Sequence, residues 1–298
     1  MSKPLAGMYA ALMTGMNDAG EFDADRQSAL NEYVLRQGLT GLYVGGSSGE
    51  SGLLEVDTLA RQQEIVRRDA EGSGATLIAH VGAPSLEGSL ILARQAKQLG
   101  YHGLSALPPH SYPFSDGEIL AYYKSLASAT DLPLIVYEVP IRTGRPLPHD
   151  LLLSILDLPG VAGIKFTSTD IYKLTLLRRA RPEWVYFFGF DEIFLSGAVV
   201  GADGGIGTTY NLLGRLYMAL HTAIADGDLS LARQLQDVSV EFVEELLQVG
   251  VLPGMKAAFA ALGIDCGPTR APLAPRLPDC GERMAELVNR PSIAAWIG

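Results

Sequence analysis

Short, uninterrupted apolar runs alternate along the chain with stretches whose apolar positions recur at helical spacing, with an interval of roughly 25–35 residues between runs. The runs fall at 7–14, 41–45, 76–81, 103–107, 134–139, 162–167, 185–189 and 204–208. They are rich in Val, Ile, Leu and Tyr without polar alternation, the pattern of strands covered on both faces. Between them lie helices with legible ends. Asp23 caps one running toward Gly38, and Asp57 opens one that stops near Gly72. Ser85 begins a helix toward Gly100, and Ser115-Asp116-Gly117-Glu118 is a capping box for a helix through Leu126. Eight strands, each followed by a helix, predict an α/β fold, a (β/α)8 TIM barrel. A doubly wound open sheet is the alternative the pattern leaves standing.

Beyond Asn211 the pattern becomes helical only. The segments 212–225, 229–249, 255–262 and 282–288 read as helices, separated at Gly227 and at Pro253-Gly254. The first serves as the barrel's eighth helix. The expected division is therefore a barrel over 1–225 carrying the site and a C-terminal helical extension over 226–298. The apolar residues 5–13 lead into Thr14-Gly15-Met16-Asn17-Asp18 without a small-residue cleavage site, and read as a first strand rather than a signal peptide.

Composition narrows the function classes. Of 298 residues 48% are hydrophobic, so disorder is excluded. The longest uncharged apolar stretch, 193–202, is far short of the ~18–20 residues of a spanning helix. A formal charge of −10 disfavours nucleic acid and anionic membranes as partners. Cys266 and Cys280 make no disulfide framework, which suggests free thiols and a cytoplasmic location. His80, His102, His110, His149 and His221 show no ligand spacing, and no metal is expected.

Barrel chemistry sits where strands end. The sixth strand carries Lys165 in Val161-Ala162-Gly163-Ile164-Lys165. Burial lowers a lysine pKa, and the neutral amine attacks carbonyls. A buried ion pair or a lysine snorkelling to the barrel mouth fits the position equally well. Tyr137 precedes Lys165 by 28 residues, about one βα unit, so both side chains fit equivalent heights on neighbouring strands. A phenol there serves as general acid and base, or is simply a buried tyrosine. Gly45-Gly46-Ser47-Ser48-Gly49-Glu50 lacks the Lys-Ser/Thr pair of a P-loop, but its hydroxyls and main-chain N–H groups suit a small carboxylate. Together these groups describe a site for a 2-keto acid, without cofactor, through a covalent Schiff base on Lys165.

The same residues resemble the N-acetylneuraminate lyase and dihydrodipicolinate synthase superfamily of pyruvate-dependent class I aldolases. The resemblance rests on residues 45–50, Ala79-His80-Val81-Gly82, Tyr112-Pro113-Phe114-Ser115, Tyr137-Glu138-Val139-Pro140, Gly163-Ile164-Lys165, Gly189-Phe190-Asp191-Glu192 and residues 201–211. It implies that Lys165, Tyr137 and Ser47 are catalytic, and that Ser47 and Ser48 hold the carboxylate. It also implies a homotetramer, with pyruvate and an aldehyde as small-molecule partners. The lyase branch is the closer match. There Gly189, Asp191, Glu192, Ile206 and Thr208 would line the sugar end, and Thr167 would sit beside the hydroxyl at the cleaved bond. Without the resemblance, Asp191 and Glu192 read as charge at a helix N-terminus.

Four positions depart from that branch: Ser48 for a threonine, Ser111 for a tyrosine reaching across a dimer, Glu138 for an asparagine, and Arg142, which is similar to the synthase branch. The expected activity is reversible cleavage of N-acetylneuraminate or a related keto sugar acid. Dihydrodipicolinate synthesis, a 2-keto-3-deoxy sugar acid aldolase or dehydratase, and a non-catalytic keto-acid-binding barrel are the alternatives.

Overall fold

The computed structural model describes residues 3–298. Eight parallel strands close into a barrel in sequence order: β1 Gly7–Ala11, β2 Gly41–Val44, β3 Thr76–His80, β4 Gly103–Ala106, β5 Leu134–Glu138, β6 Val161–Phe166, β7 Val185–Phe188 and β8 Gly204–Gly207. Pairing of β1 with β8, Gly7 opposite Gly204, completes the ring and excludes the open sheet. These small residues are required by the approach of the two backbones, because a Cβ on Gly204 would overlap the Gly7 carbonyl. Inside the ring Tyr9, Tyr43, Ile78, Ile135, Phe187 and Ile206 form a closed apolar plug. Tyr9 and Phe187 meet edge to face at 5.5 Å between ring centres.

The helices are α1 Ala24–Leu35, α2 Val56–Asp69, α3 Leu86–Gln98, α4 Asp116–Ala127, α5 Pro140–Thr143, α6 His149–Leu156, α7 Ile171–Ala180, α8 Phe194–Val199, α9 Tyr210–Ala225, α10 Leu229–Val249, α11 Val251–Ala261, α12 Cys280–Val288 and α13 Pro291–Ala294. Asp23 and Ser85 cap α1 and α3, and Ser115 with Glu118 forms the complete capping box of α4. A layer of apolar side chains between strands and helices makes up the larger core.

Several boundaries differ from the sequence reading by a residue or two, α2 starting at Val56 with no cap from Asp57, and two differ for a clear physical reason. The first apolar run continues to 14, but β1 ends at Ala11. Leu12 still donates to the Tyr43 carbonyl, whereas Met13 donates to the Asn211 side chain, so burial outlasts the ladder. Pro253-Gly254, read as a separator, lies inside α11. Proline is tolerated in a first turn, where its missing N–H costs no helical bond, and the break falls instead at Gly250, with φ +96°. Past Ala225 the described chain holds helices and no strand, with an irregular stretch over 262–279 before α12, and α10 packs along α9 and against the turn Asp191–Ile193. Cys266 and Cys280 are free and buried. Among the described residues no helix is long and apolar enough to cross a membrane.

Candidate active site

Tyr137 and Lys165 stand directly opposite each other in the β5–β6 ladder, so their side chains enter the barrel at the same height near its C-terminal end. Lys165 is 4% exposed. Its Nζ lies 4.1 Å from the centre of the Tyr137 ring and 4.4 Å from that of Tyr43. Burial lowers the Lys165 pKa; Tyr137 and Asp191 act against that shift, and the Arg142 guanidinium adds to it. His80 completes the cage, with ring centres 6.0 Å from Tyr137 and 5.9 Å from Tyr43. Its Nε2 accepts from Leu107 N at 3.3 Å, so the proton resides on Nδ1 and is donated to the Gly45 carbonyl at 3.0 Å. Burial and the nearby Lys165 push the His80 pKa down to about 3, and the ring is neutral at physiological pH.

Beside this cage the chain turns sharply after β2. Gly45 has φ +74°, and Gly46 passes under the Tyr43 ring, where a Cβ would come within 2.6 Å of the ring edge. Ser47–Gly49 form a single 3-10 turn whose last carbonyl accepts from Thr14 Oγ1 at 2.6 Å. Ser47 is half-buried, and the Ser48 hydroxyl is 2.6 Å from that of Thr208, joining the loops that follow β2 and β8. The loop expected to hold the carboxylate thus borders Tyr43 and His80, two walls of the cage around Lys165.

Of the residues expected at the sugar end, Thr208 thus borders the serine loop, whereas Thr167, Gly189 and Asp191 follow β6 and β7. Thr167 is buried, and its Oγ1 has no partner among the described residues. It presses on Gly189, where a Cβ would overlap that hydroxyl and stand 3.4 Å from Lys165 Cε. Asp191 is buried, and one carboxylate oxygen accepts from Thr209 N at 2.8 Å and Thr209 Oγ1 at 2.7 Å. Burial raises its pKa to about 6, with the two Thr209 donors acting against the rise. Charge at a helix N-terminus also describes this carboxylate, though not at its own helix: α8 begins at Phe194, whereas Thr209, which engages Asp191, immediately precedes α9. Glu192 is half-buried. Ile206 is 1% exposed within the interior plug, beneath the site.

The departures have distinct places. Glu138 alternates with Tyr137 and faces away from the barrel interior. Its Oε1 accepts from Leu147 N at 3.0 Å and lies 3.6 Å from Lys173 Nζ, while burial raises its pKa to about 6. Arg142 is exposed on α5, and its charge is felt at both Lys165 and His80. Ser111 is exposed; Tyr112 is 74% exposed and meets Phe114 edge to face. Tyr43, His80 and Thr209 are site-forming residues that the sequence reading did not single out. The inward parity of β2 and the end of β3 is the signal that points to the first two. Among the described residues no three His, Cys, Asp or Glu side chains gather as a metal-binding set.

The profile of the Dihydrodipicolinate synthetase family matches residues 4–290. The chain is 42% identical over 269 residues to the N-acetylneuraminate lyase of Rhizobium meliloti, covering 90% of this chain and 89% of that protein. Its fold matches CdNal from Clostridium difficile in complex with mannosamine, with a TM-score of 0.93, 28% identity, and 98% and 99% of the two chains covered. The N-acetylneuraminate lyase of Fusobacterium nucleatum aligns with a TM-score of 0.91 and 30% identity over 99% of each chain.

Proposed function

The chain belongs to the dihydrodipicolinate synthetase family, and from that premise we propose that it is a class I aldolase that reversibly cleaves N-acetylneuraminate to pyruvate and N-acetylmannosamine. The observation that carries the reading is Lys165, a buried amine with a lowered pKa in register with Tyr137. Support comes also from the serine loop after β2, which borders Tyr43 and His80 of the cage, and from Thr167 and Asp191 after β6 and β7. A keto acid with a hydroxylated tail suits this set of groups.

The neutral Lys165 amine adds to the keto carbon, and loss of water leaves an imine. Ser47 and Ser48 hold the carboxylate with hydroxyls and main-chain N–H groups. Once protonated, the imine nitrogen draws in the electron pair of the neighbouring carbon–carbon bond as that bond breaks. Tyr137 gives its phenolic proton to the hydroxide lost as the imine forms, and as the phenolate it then takes the proton of the hydroxyl on the departing carbon, whose oxygen becomes that of the aldehyde. Thr167, with an unpartnered Oγ1, is suited to orient that hydroxyl. The resulting enamine takes a proton back at carbon, and water releases pyruvate from Lys165. Asp191 and Glu192 accept from hydroxyls of the tail, as carboxylates do when ionised, with Gly189 and Thr208 bordering the same end and Ile206 forming its floor. No cofactor is required. The chain is proposed to act as a cytoplasmic homotetramer.

Arg142 supports a second reading, condensation of pyruvate with an acidic aldehyde, because its cation acts on the Lys165 amine. Steady-state assays separate the two. Cleavage of N-acetylneuraminate by the native chain, abolished in Lys165→Ala, is the expected result. Condensation with aspartate semialdehyde and no cleavage of N-acetylneuraminate overturns the first reading in favour of the second.

A further inference from the structure

We propose that the helical extension is a positioning element of the site, bracing the two ends of the bound keto sugar acid through two separate sets of contacts. The inference rests on the aldolase reading above and adds residues that touch no substrate.

The first brace acts on Asp191 through its main chain. From α10, Gln236 Nε2 donates to the Asp191 carbonyl at 3.0 Å, and Ser239 Oγ stands 3.1 Å from the same oxygen. The other end of the Gln236 amide accepts from Leu195 N at 2.8 Å, so one side chain spans the whole turn from 191 to 195. The Tyr217 hydroxyl on α9 lies 2.7 Å from Ser239 Oγ and 2.6 Å from Thr209 Oγ1, the group that donates to the Asp191 carboxylate. Both the main chain and the side chain of Asp191 are therefore held through buried groups that connect to α10. A buried polar cluster of this kind fixes one arrangement, because every displaced member is left without water or partner.

The second brace acts on the serine loop. Glu50 ends the cradle of residues 45–50, and among the described residues it is the one non-glycine with positive φ, at +63°. A strained conformation of that kind persists only where the surroundings impose it. Here its buried carboxylate lies 3.0 Å from Lys256 Nζ on α11 and accepts from Arg270 N at 2.6 Å. Lys256 Nζ in turn donates to the Pro268 carbonyl at 2.6 Å. A buried ion pair contributes little net stability, but it specifies geometry, and this one sets the height at which Ser47 and Ser48 are presented.

The two braces share no residue, so they predict separable defects. The test compares the native chain with the double variants Gln236→Leu/Ser239→Ala and Glu50→Gln/Lys256→Met. Three quantities are read: the pyruvate concentration giving half-maximal borohydride trapping, and the KM values for N-acetylmannosamine and glycolaldehyde in condensation. In the α10 variant the KM for N-acetylmannosamine rises about tenfold, while the other two quantities stay within about twofold. In the Glu50/Lys256 variant half-maximal trapping shifts about tenfold to higher pyruvate, and the ratio of the two aldehyde KM values is unchanged. Proportional change in all three quantities, or no change in any, overturns the proposal. Should a double variant fail to fold, Gln236→Asn and Glu50→Gln keep a polar group at each brace and must show the same split in milder form. A native chain that traps no pyruvate defeats the functional reading itself, whereas a working native chain with no split in its variants defeats only the braces.

Discussion

Asp191 and His80 are held in opposite directions by the same cause. Burial raises the Asp191 carboxyl to about 6, so below that pH it carries a proton and loses acceptor capacity toward substrate hydroxyls. The KM for N-acetylneuraminate is accordingly expected to fall as pH rises through about 6. Asp191→Asn should flatten that dependence and raise the KM at pH ~7.5 about tenfold. A variant that keeps the native pH profile contradicts this role. His80 is a base whose folded pKa, about 3, lies below its ordinary value. The unfolded chain takes up a proton there that the folded chain refuses, so the stability it contributes is complete above pH ~6.5 and is lost as pH falls toward 3. Asp191 and Glu138, with raised pKa values, act in the opposite sense over part of the same window, which makes a difference measurement necessary. His80→Asn should lose less melting temperature between pH ~7 and ~5 than the native chain does. Equal losses would assign the acid sensitivity elsewhere.

At the level of elements, the end of β7 shows how little room the site has. Gly189→Ala would place a methyl group against the Thr167 hydroxyl and 3.4 Å from Lys165 Cε. Melting temperature within a few degrees of native and a kcat reduced about 100-fold are expected, since misplacing a reacting group by ~1 Å costs that order of rate. A kcat near native would show that the Thr167–Gly189 contact is dispensable. Alternation along the strands made much of this legible from sequence. The spacing of Tyr137 and Lys165 translates into a cross-strand pair, and the capping box at Ser115 forms as its residues specify. The same alternation turns Glu138 outward to Leu147 and Lys173, a consequence of parity that a motif comparison at position 138 does not convey. Pro253 misled because a proline reads as a stop, although its place relative to Gly250 makes it a start. The contacts of Asp191 with α10 and of Glu50 with Lys256 span 45 and 206 residues and leave no local pattern at all.

For the whole molecule, the closed barrel explains why seemingly unrelated motifs belong together. Residues 45–50, Tyr137, Lys165, Thr167, Asp191 and Thr208 come from five different strand ends, and closure alone puts them around one amine. The chain carries a net charge of −10, yet the proposed substrate is an anion. Attraction must therefore be local, supplied by Arg142, exposed on α5, and by the N–H groups of the serine loop. The central claim is that a keto acid becomes covalently bound to Lys165. Incubation with pyruvate and borohydride, followed by intact-protein and peptide mass spectrometry, tests it most directly, because reduction locks any imine onto its lysine. One reduced pyruvyl adduct per chain is expected, on the peptide containing Lys165 and absent from Lys165→Arg. A folded chain that forms no adduct, or forms it on another lysine, would contradict the mechanism; absence of any adduct would leave a barrel that binds keto acids without turning them over.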